Sequence, residues 1–508
     1  MFIDELEKEL NTSTTENGAE GYSTTGKKLL DFNFNVSSFR SKSEEEIKIE
    51  FKKVWFENKE LALKYLFYLR DAREGIGERR LFRVCISEII GELDSRVFDW
   101  IVKFGRYDDL FVFFGTRLQI DMLEYIKIQL RKDANNWVSK QPISLLAKWL
   151  PSINTSSKET RNKAKLIKRY LGMAERDYRK MLSDLRKYLD VTERKCSRNE
   201  WEEINYEAVP SQANLKYKNA FLRHDEDRRR NYLSKLAKGE AKINASTLFP
   251  HDIVYKYRTT SQDYRCVGNI RKDDTLEALW KSLPDYIKGN GSTIVVRDGS
   301  GSMTCPIGNT GIQAMDVATA LSIYFAERCK GQFKDKFITF STRPKLVSLK
   351  GYDNLKDKLT LAYRENEVSN TNIEAVFDLI LKTAKSNNME QEDIPNILII
   401  SDMEFDSCAT TGSNPYSYGL DKPKDKLFKV IEQKYKDAGY KLPRMSFWNV
   451  NSRTGTIPVI QNDLGVALVS GFSPAVVNMV LSNEIDPYKA LVNEITKDRY
   501  AEITLKTV

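Results

Sequence analysis

Val295-Val-Arg-Asp-Gly-Ser-Gly-Ser-Met303 decides how the second half of this chain is read. The apolar run Thr293, Ile294, Val295 and Val296 has the β-branched character of a buried strand. It ends in Asp298-Gly-Ser-Gly-Ser302, where one carboxylate and two hydroxyls fall on alternate positions. The intervening glycines let the backbone turn sharply. Oxygen ligands in this arrangement suit a hard divalent cation. They do not make a zinc site, which wants nitrogen and sulfur.

From this strand onward the pattern is strand–helix alternation. Strands are expected at Thr293–Arg297, Lys336–Phe340, Lys345–Leu349, Asn396–Ser401, Arg444–Asn449 and Val466–Val469. Helices are expected at about Gly311–Lys330, Asn372–Lys385, Asp425–Ala438, Pro474–Leu481 and Pro487–Thr496. That order predicts a doubly wound α/β domain, an open, mostly parallel sheet with helices on both faces. Ligands of such sheets bind beyond the carboxyl ends of the strands, where the strand order reverses.

Three strand-end loops carry oxygen side chains: Asp298/Ser300/Ser302, Asn370-Thr371-Asn372 and Ile399-Ile-Ser-Asp402. A magnesium ion takes a few protein oxygens and keeps several waters. Ser300 and Ser302 are expected as direct ligands, Asp298 and Asp402 largely through water, and Thr371 as the group that closes the shell. Mn²⁺ or Ca²⁺ would accept the same oxygens. An open position would take a carboxylate or phosphate oxygen from a partner. Any one of these loops also reads as an ordinary cap or turn; together they point to a site.

Rival chemistries fail on residue type. A phosphate-cradling loop needs a Gly-Lys-Ser/Thr end, and no such lysine follows Gly301. An aspartyl-phosphate phosphatase wants a second acid two residues on, where Ser300 stands. His224 and His251 are the only histidines, so histidine triads and histidine metal sites are nearly excluded. With no evident general base near the loops, the expectation is a protein that is not an enzyme.

The preceding half reads differently. Residues 1–30 are polar and are expected to form an extended or partly ordered arm. Ser43-Glu-Glu-Glu46 is a capping-box candidate, followed by Ile47, Phe51, Val54 and Trp55 at helical spacing. Further helices are expected at Leu61–Arg73, Glu78–Leu93, Arg96–Phe104, Tyr107–Phe114, Gln119–Lys132, Ile143–Leu150, Lys158–Leu171 and Ala174–Leu189. Many short helices joined by tight turns suggest a solenoid of stacked pairs, although no clean internal repeat is visible.

Residues 151–250 hold 23 Lys and Arg against 14 Asp and Glu, an excess equal to the whole chain's net charge of +9. Charge confined to one block points to a polyanion-facing surface. The candidates are Arg176, Arg179, Lys180, Arg186 and Lys187 on one helix, Arg194 and Lys195 in the loop beyond, and Arg228-Arg229-Arg230 on a later helix. Tyr206, Tyr217 and Tyr232 are interleaved, as stacking on unpaired bases would want.

The six cysteines are scattered with no Cys-x-x-Cys pair, which favours a reducing, cytoplasmic setting. The N-terminus lacks the basic start and apolar block of a secretion signal, and no apolar run of about 18 residues offers a membrane span.

Asp298-Gly-Ser-Gly-Ser302, Thr371 and Asp402 resemble the metal-ion-dependent adhesion site of a von Willebrand factor A domain. Ser401-Asp-Met-Glu-Phe-Asp406 stands where that family often has Thr-Asp-Gly, which makes Glu404 a candidate outer partner. A helix-rich region followed by such a domain is similar to the Ro autoantigen (TROVE) proteins. The resemblance implies a ring of HEAT-like helical repeats closed by the A domain, binding small noncoding or misfolded RNA.

More closely, Asn17-Gly-Ala, Phe67-Tyr-Leu-Arg-Asp-Ala-Arg73 with Gly77-Glu-Arg-Arg80, Phe104-Gly-Arg-Tyr-Asp-Asp109, Asn205-Tyr-Glu-Ala-Val-Pro210 and Ser401–Asp406 resemble a Ro-related family of phages, bacteria and large DNA viruses. That resemblance implies a host-cytoplasmic location for a phage or viral protein.

The expected architecture is therefore an α-solenoid followed by an α/β domain. Its segments are an arm at 1–30, helical repeats at 31–255, a bridge at 256–291 and the A-like domain at 292–508. The expected function is a monomeric RNA-binding scaffold, with Mg²⁺ in the A-like domain for docking a protein partner. The alternatives are an adhesion module that binds an acidic partner residue without RNA, and a metal-dependent phosphohydrolase.

Overall fold

The computed structural model describes residues 6, 10–260, 270–287, 292–340, 343–367, 370–407, 426–482 and 484–505. Two compact units are present: Met1–Ala62 with Leu248–Lys497, and Leu63–Thr247 with Asp498–Val508. These boundaries do not coincide with the four consecutive segments expected from sequence. The beginning of the chain belongs with the sheet, and its last stretch belongs with the helices.

The sheet unit carries six strands: β3 (Thr293–Asp298), β4 (Lys336–Phe340), β5 (Lys345–Ser348), β6 (Asn396–Ser401), β7 (Met445–Asn449) and β8 (Val466–Ser470). Their order across the sheet is β5-β4-β3-β6-β7-β8. Only β5 is antiparallel, so the sheet is mixed, as a parallel core with one reversed edge strand. β3, β7 and β8 are buried along their whole length, which is why they read as unbroken apolar runs.

The flanking helices are Ala314–Arg328, Leu355–Arg364, Glu374–Ser386, Leu427–Asp437 and Pro487–Ile495. Ala314–Arg328 is buried from Ala314 through Ala326, so it shows little polar face. Leu355–Arg364 was not expected from sequence; the Asn354 side chain caps it by accepting from the Asp357 amide at 2.9 Å.

The polar arm is more ordered than its composition suggests. Its described part contains β1 (Ser13–Thr14) and β2 (Glu20–Gly21), an antiparallel hairpin, followed by the helix Lys28–Phe34. Leu29, Leu30, Phe32 and Phe34 of that helix are buried. Asn33 donates to the Leu468 carbonyl and the Ser37 amide to Ser470 Oγ, which ties the arm to β8. The capping box at Ser43 forms as expected: the Glu46 amide donates to Ser43 Oγ, and the Ser43 amide to Glu46 Oε2 at 2.8 Å.

The other unit is helical throughout Leu63–Thr247, where no strand occurs among the described residues. Its helices include Arg80–Glu88, Val97–Phe104, Gln119–Val138, Leu146–Trp149, Lys158–Tyr170, Glu175–Tyr188, Thr192–Arg198, Ser211–His224 and Glu226–Lys238. Two details differ from expectation. Tyr107–Phe113 is a 3₁₀ helix, and the loop expected around Arg194 and Lys195 is the helix Thr192–Arg198.

Several residues behind the family resemblance are structural. Asp109 is fully buried and accepts from Arg70 Nε at 2.9 Å, Arg83 Nε at 2.7 Å and the Arg106 amide at 2.9 Å. Gly105 is needed there, since a Cβ would lie 2.7 Å from Asp109 Oδ2. Residues 498–505 complete this unit. Tyr500 is buried against Phe104, 5.3 Å between ring centroids, and its hydroxyl lies 3.1 Å from Asp71 Oδ2. No helix among the described residues is long and apolar enough to cross a membrane.

Candidate metal centre and basic cavity

β3 and β6 are neighbours, and the connections leave them toward opposite sides of the sheet, so the strand order reverses between them. Asp298 ends β3, and Asp402 follows the last residue of β6. The two carboxylates therefore emerge side by side at the carboxyl ends of adjacent parallel strands, in the crevice where such sheets bind ligands.

Asp298 is wholly buried. Its Oδ1 accepts from the Ser300 amide at 2.8 Å, which bends the loop back, and its Oδ2 accepts from Ser401 Oγ at 2.6 Å. Ser300 Oγ and Ser302 Oγ lie 3.0 Å apart, and Ser302 is hydrogen-bonded to Asp402. Burial, with the Asp402 charge second, pushes the Asp298 carboxyl well above the usual carboxylate range. Burial also raises Asp402, while Arg453 acts in the opposite direction.

Two buried carboxylates and two hydroxyls brought to one point are costly without a counter-charge. The donor set is all oxygen, which fits a hard divalent cation. Among the described residues no three of His, Cys, Asp and Glu converge as a metal set. A site built from hydroxyls and two acids needs no such trio.

Thr371 is buried and fixed by its own backbone, its amide donating to Asp406 Oδ2 at 2.9 Å. Its hydroxyl joins the group indirectly. Asn17 Nδ2 donates to Thr371 Oγ1 at 3.2 Å and to the Glu404 carbonyl at 2.6 Å. Met403 follows Asp402 with φ +65°, the left-handed conformation that a glycine would take without strain. Glu404 is buried too, and its carboxylate receives the amides of Glu16, Arg453 and Thr454.

Sequence reading missed Arg453 and Glu16, and it noted Asn17 only within the family resemblance, not at this site. Arg453 Nη1 lies 3.0 Å from Asp402 Oδ2, and its Nε 2.7 Å from Glu16 Oε2. Asn17-Gly18 was a usable signal, since Asn-Gly marks tight hairpins and Gly18 has φ +91°. Nothing in the spacing of Arg453 ties it to Asp298.

In the helical unit, a cavity of about 890 Å³ opens among the helices Leu146–Trp149, Glu175–Tyr188 and Thr192–Arg198. Lys148, Arg176, Arg179, Lys180, Arg186, Arg194 and Arg198 line it, against the single carboxylate of Glu193. Arg176, Arg179 and Lys180 are exposed, as is Lys187 on the same helix, and these four side chains form no ion pair within the described residues.

The remaining candidates each have partners within the chain, and Arg228 and Arg230 keep theirs at the surface. Arg186 donates to the carbonyls of Ala147 and Leu150 and to Ser152 Oγ, which leaves its guanidinium as a wall brace. Arg194 pairs with Glu200 at 3.0 Å, and buried Lys195 with Asp190 at 2.5 Å. Arg228 pairs with Asp225 and Arg230 with Glu226, each at 2.8 Å. Arg229 is wholly buried among Tyr206, Phe221 and Tyr232. Tyr206 and Tyr232 stack on each other at 5.4 Å, so neither presents a free face for a base.

The family described as Domain of unknown function (DUF2828) matches residues 15–89 and 107–293. Another, described as Domain of unknown function (DUF7788), matches residues 292–505. Among known proteins the chain is similar to "Uncharacterized protein L728" of Acanthamoeba polyphaga mimivirus, 31% identical over 532 residues, spanning 95% of this chain and 87% of the relative. The first match alone spans just over half of the sequence, and the viral relative runs nearly end to end. The chain belongs to the DUF2828 family, with a DUF7788 region at its carboxyl side.

Proposed function

We propose that this protein is a non-enzymatic RNA-binding scaffold. Its helical unit, read as stacked HEAT-like pairs, takes RNA at the basic cavity. Its sheet unit, read as a von Willebrand factor A-like domain, holds Mg²⁺ and docks a partner. The carrying observation is the cavity wall: seven cationic side chains face one carboxylate, and Arg176, Arg179 and Lys180 are exposed and form no ion pair among the described residues. A polyanion supplies what the fold leaves out. Trp149, with Arg106 stacked 3.9 Å over its ring, adds an aromatic surface to the same wall. The resemblance to Ro proteins points to small noncoding or misfolded RNA.

Reversing Arg176, Arg179 and Lys180 to Glu should weaken binding of a structured RNA at least tenfold. It should also flatten the slope of log affinity against log salt by about 2 to 3. The same change at Lys48, Lys52 and Lys53 should cost less than about twofold, because these lie on the Glu44–Glu57 helix, which does not line the cavity. Filter binding across a salt series measures both; equal effects from the two triplets would refute the assignment.

The alternative of an adhesion module draws on the strand-end group of Asp298, Ser300, Ser302 and Asp402, which would bind an acidic partner residue through the cation. Low-salt purification with and without nuclease separates the two. Co-purifying nucleic acid supports the scaffold; its absence, with retained cation-dependent protein capture, supports the module.

A further inference from the structure

The strand-end site already has a cation beside it, and that cation belongs to the chain. Arg453 sits on the loop after β7 and contacts both Asp402 and Glu16. Glu16 is at the tip of the β1–β2 hairpin, and the tip is fastened in place by more than this ion pair. The Glu16 amide donates to Glu404 Oε2 at 2.9 Å, Thr15 Oγ1 to the Phe405 carbonyl at 2.7 Å, and Asn17 to both Glu404 and Thr371. Glu404 in turn binds the amides of Arg453 and Thr454. Hairpin tip, Asp402–Asp406 loop and Ser452–Thr454 loop thus form one hydrogen-bonded group at the mouth of the site.

The charge pattern is uneven. Arg453 reaches Asp402, whereas Asp298 is supported by the Ser300 amide and hydroxyl and the Ser401 hydroxyl, with no ion pair to it among the described residues. The Arg453 guanidinium pairs directly with Asp402, whereas the buried Arg297 acts on Asp298 only through space. A divalent cation between the two carboxylates would compensate both, but it would have to share Asp402 with Arg453, or displace it. Arginine does not lose its charge under ordinary conditions, so this repulsion persists at every working pH.

We propose that Arg453, anchored by Glu16, is a tethered counter-cation that competes with the divalent cation for Asp402, and that the hairpin tip thereby sets the affinity of the site. The proposal rests on the reading of Asp298, Ser300, Ser302, Thr371 and Asp402 as a cation site. Arg453 is a positioning residue here: it acts through Asp402.

The test is a Mn²⁺ titration of the full chain, followed by electron paramagnetic resonance of the free ion. Arg453→Gln should bind Mn²⁺ at least about tenfold more tightly than wild type, since a full charge next to the ion is removed. Glu16→Ala should bind about two- to fivefold more tightly, because Arg453 keeps its charge but loses its outer anchor. Asp298→Ala should bind none at this site.

Equal or weaker binding by Arg453→Gln, with wild type still binding through Asp298, overturns the tether and leaves the cation site standing. If Arg453→Gln fails to fold, Glu16→Ala carries the test, and unchanged or weaker affinity overturns the proposal. Absence of Asp298-dependent binding in wild type and both variants overturns the tether and the cation site together.

Discussion

His251 shows how much a single buried group can set conditions for this fold. It is buried, with the Phe472 ring 5.0 Å away, Asp252 at 3.8 Å and the Arg40 charge close enough to act on it. Burial holds its imidazole down to about 4, Asp252 opposing and Arg40 reinforcing that effect. The unfolded chain binds that proton near pH 6.5, whereas the folded chain refuses it until about pH 4. Stability from this residue is therefore complete above pH 6.5 and falls as the pH drops toward 4. The loss is about 3 kcal/mol, because a tenfold difference in proton affinity between the two states is worth roughly 1.4 kcal/mol. Unfolding free energies from urea titrations of wild type and His251→Leu between pH 7 and 4 should diverge by that amount, the variant losing less. Asp298→Ala makes a second prediction at this scale. Saturating Mg²⁺ at about a hundred times its dissociation constant stabilises a protein by about 2.7 kcal/mol. The variant should lose the resulting rise in melting temperature, and an unchanged rise would place the ion elsewhere.

Among elements, the turn between Phe104 and Asp109 matters most to the helical unit. Asp109 holds Arg70 and Arg83 from two different helices. Removing it strands the buried Arg70 guanidinium and leaves Arg83 with Asp108 alone, so Asp109→Ala should destabilise this unit by about 3 kcal/mol or more. Hydrogen exchange should show lost protection in Arg80–Glu88 and Val97–Phe104, with β3 and β6 unaffected. Legibility in the sequence also varied by element. The strands could be read because buried β-branched runs such as Ile397–Ile400 have no competing interpretation. The hairpin strands could not, because two residues have no period to detect, and only the Asn17-Gly18 turn between them carried a signal. The helix Thr192–Arg198 escaped for a related reason: Thr-Glu-Arg-Lys-Cys-Ser-Arg carries no apolar repeat. Asp298, Ser300, Ser302 and Asp402 were readable because each is anchored to a strand end. Arg453 and Glu16 were not, since their pairing spans 437 positions of sequence and depends entirely on tertiary folding. The basic block was legible as charge, but not which charges are committed inside the fold.

At the scale of the whole molecule, each unit is built from two separated stretches of chain. Tyr500 lies far from the helices in sequence yet packs with Phe104 and Tyr68 in their core. Tyr500→Ala should cost about 3–5 kcal/mol through lost aromatic burial, and its effect should appear in the helical unit, not the sheet. Exchange protection in Leu63–Thr247 is the measurement, and loss confined to β7 and β8 would contradict the assignment. The position of residues 498–505 also governs the timing of synthesis. Domains commonly fold as units during translation, the earlier one first. Here the helical unit is the earlier to be translated for most of its length, but it lacks Arg499 and Tyr500 until nearly all of the sheet has been made. Asp71 therefore waits for its partners, Arg499 at 2.6 Å and the Tyr500 hydroxyl, through the synthesis of more than four hundred residues. A ribosome stalled after Lys497 would display a helical unit with the buried positions of Tyr500 and Ile503 unfilled, more open to protease than the same helices after release.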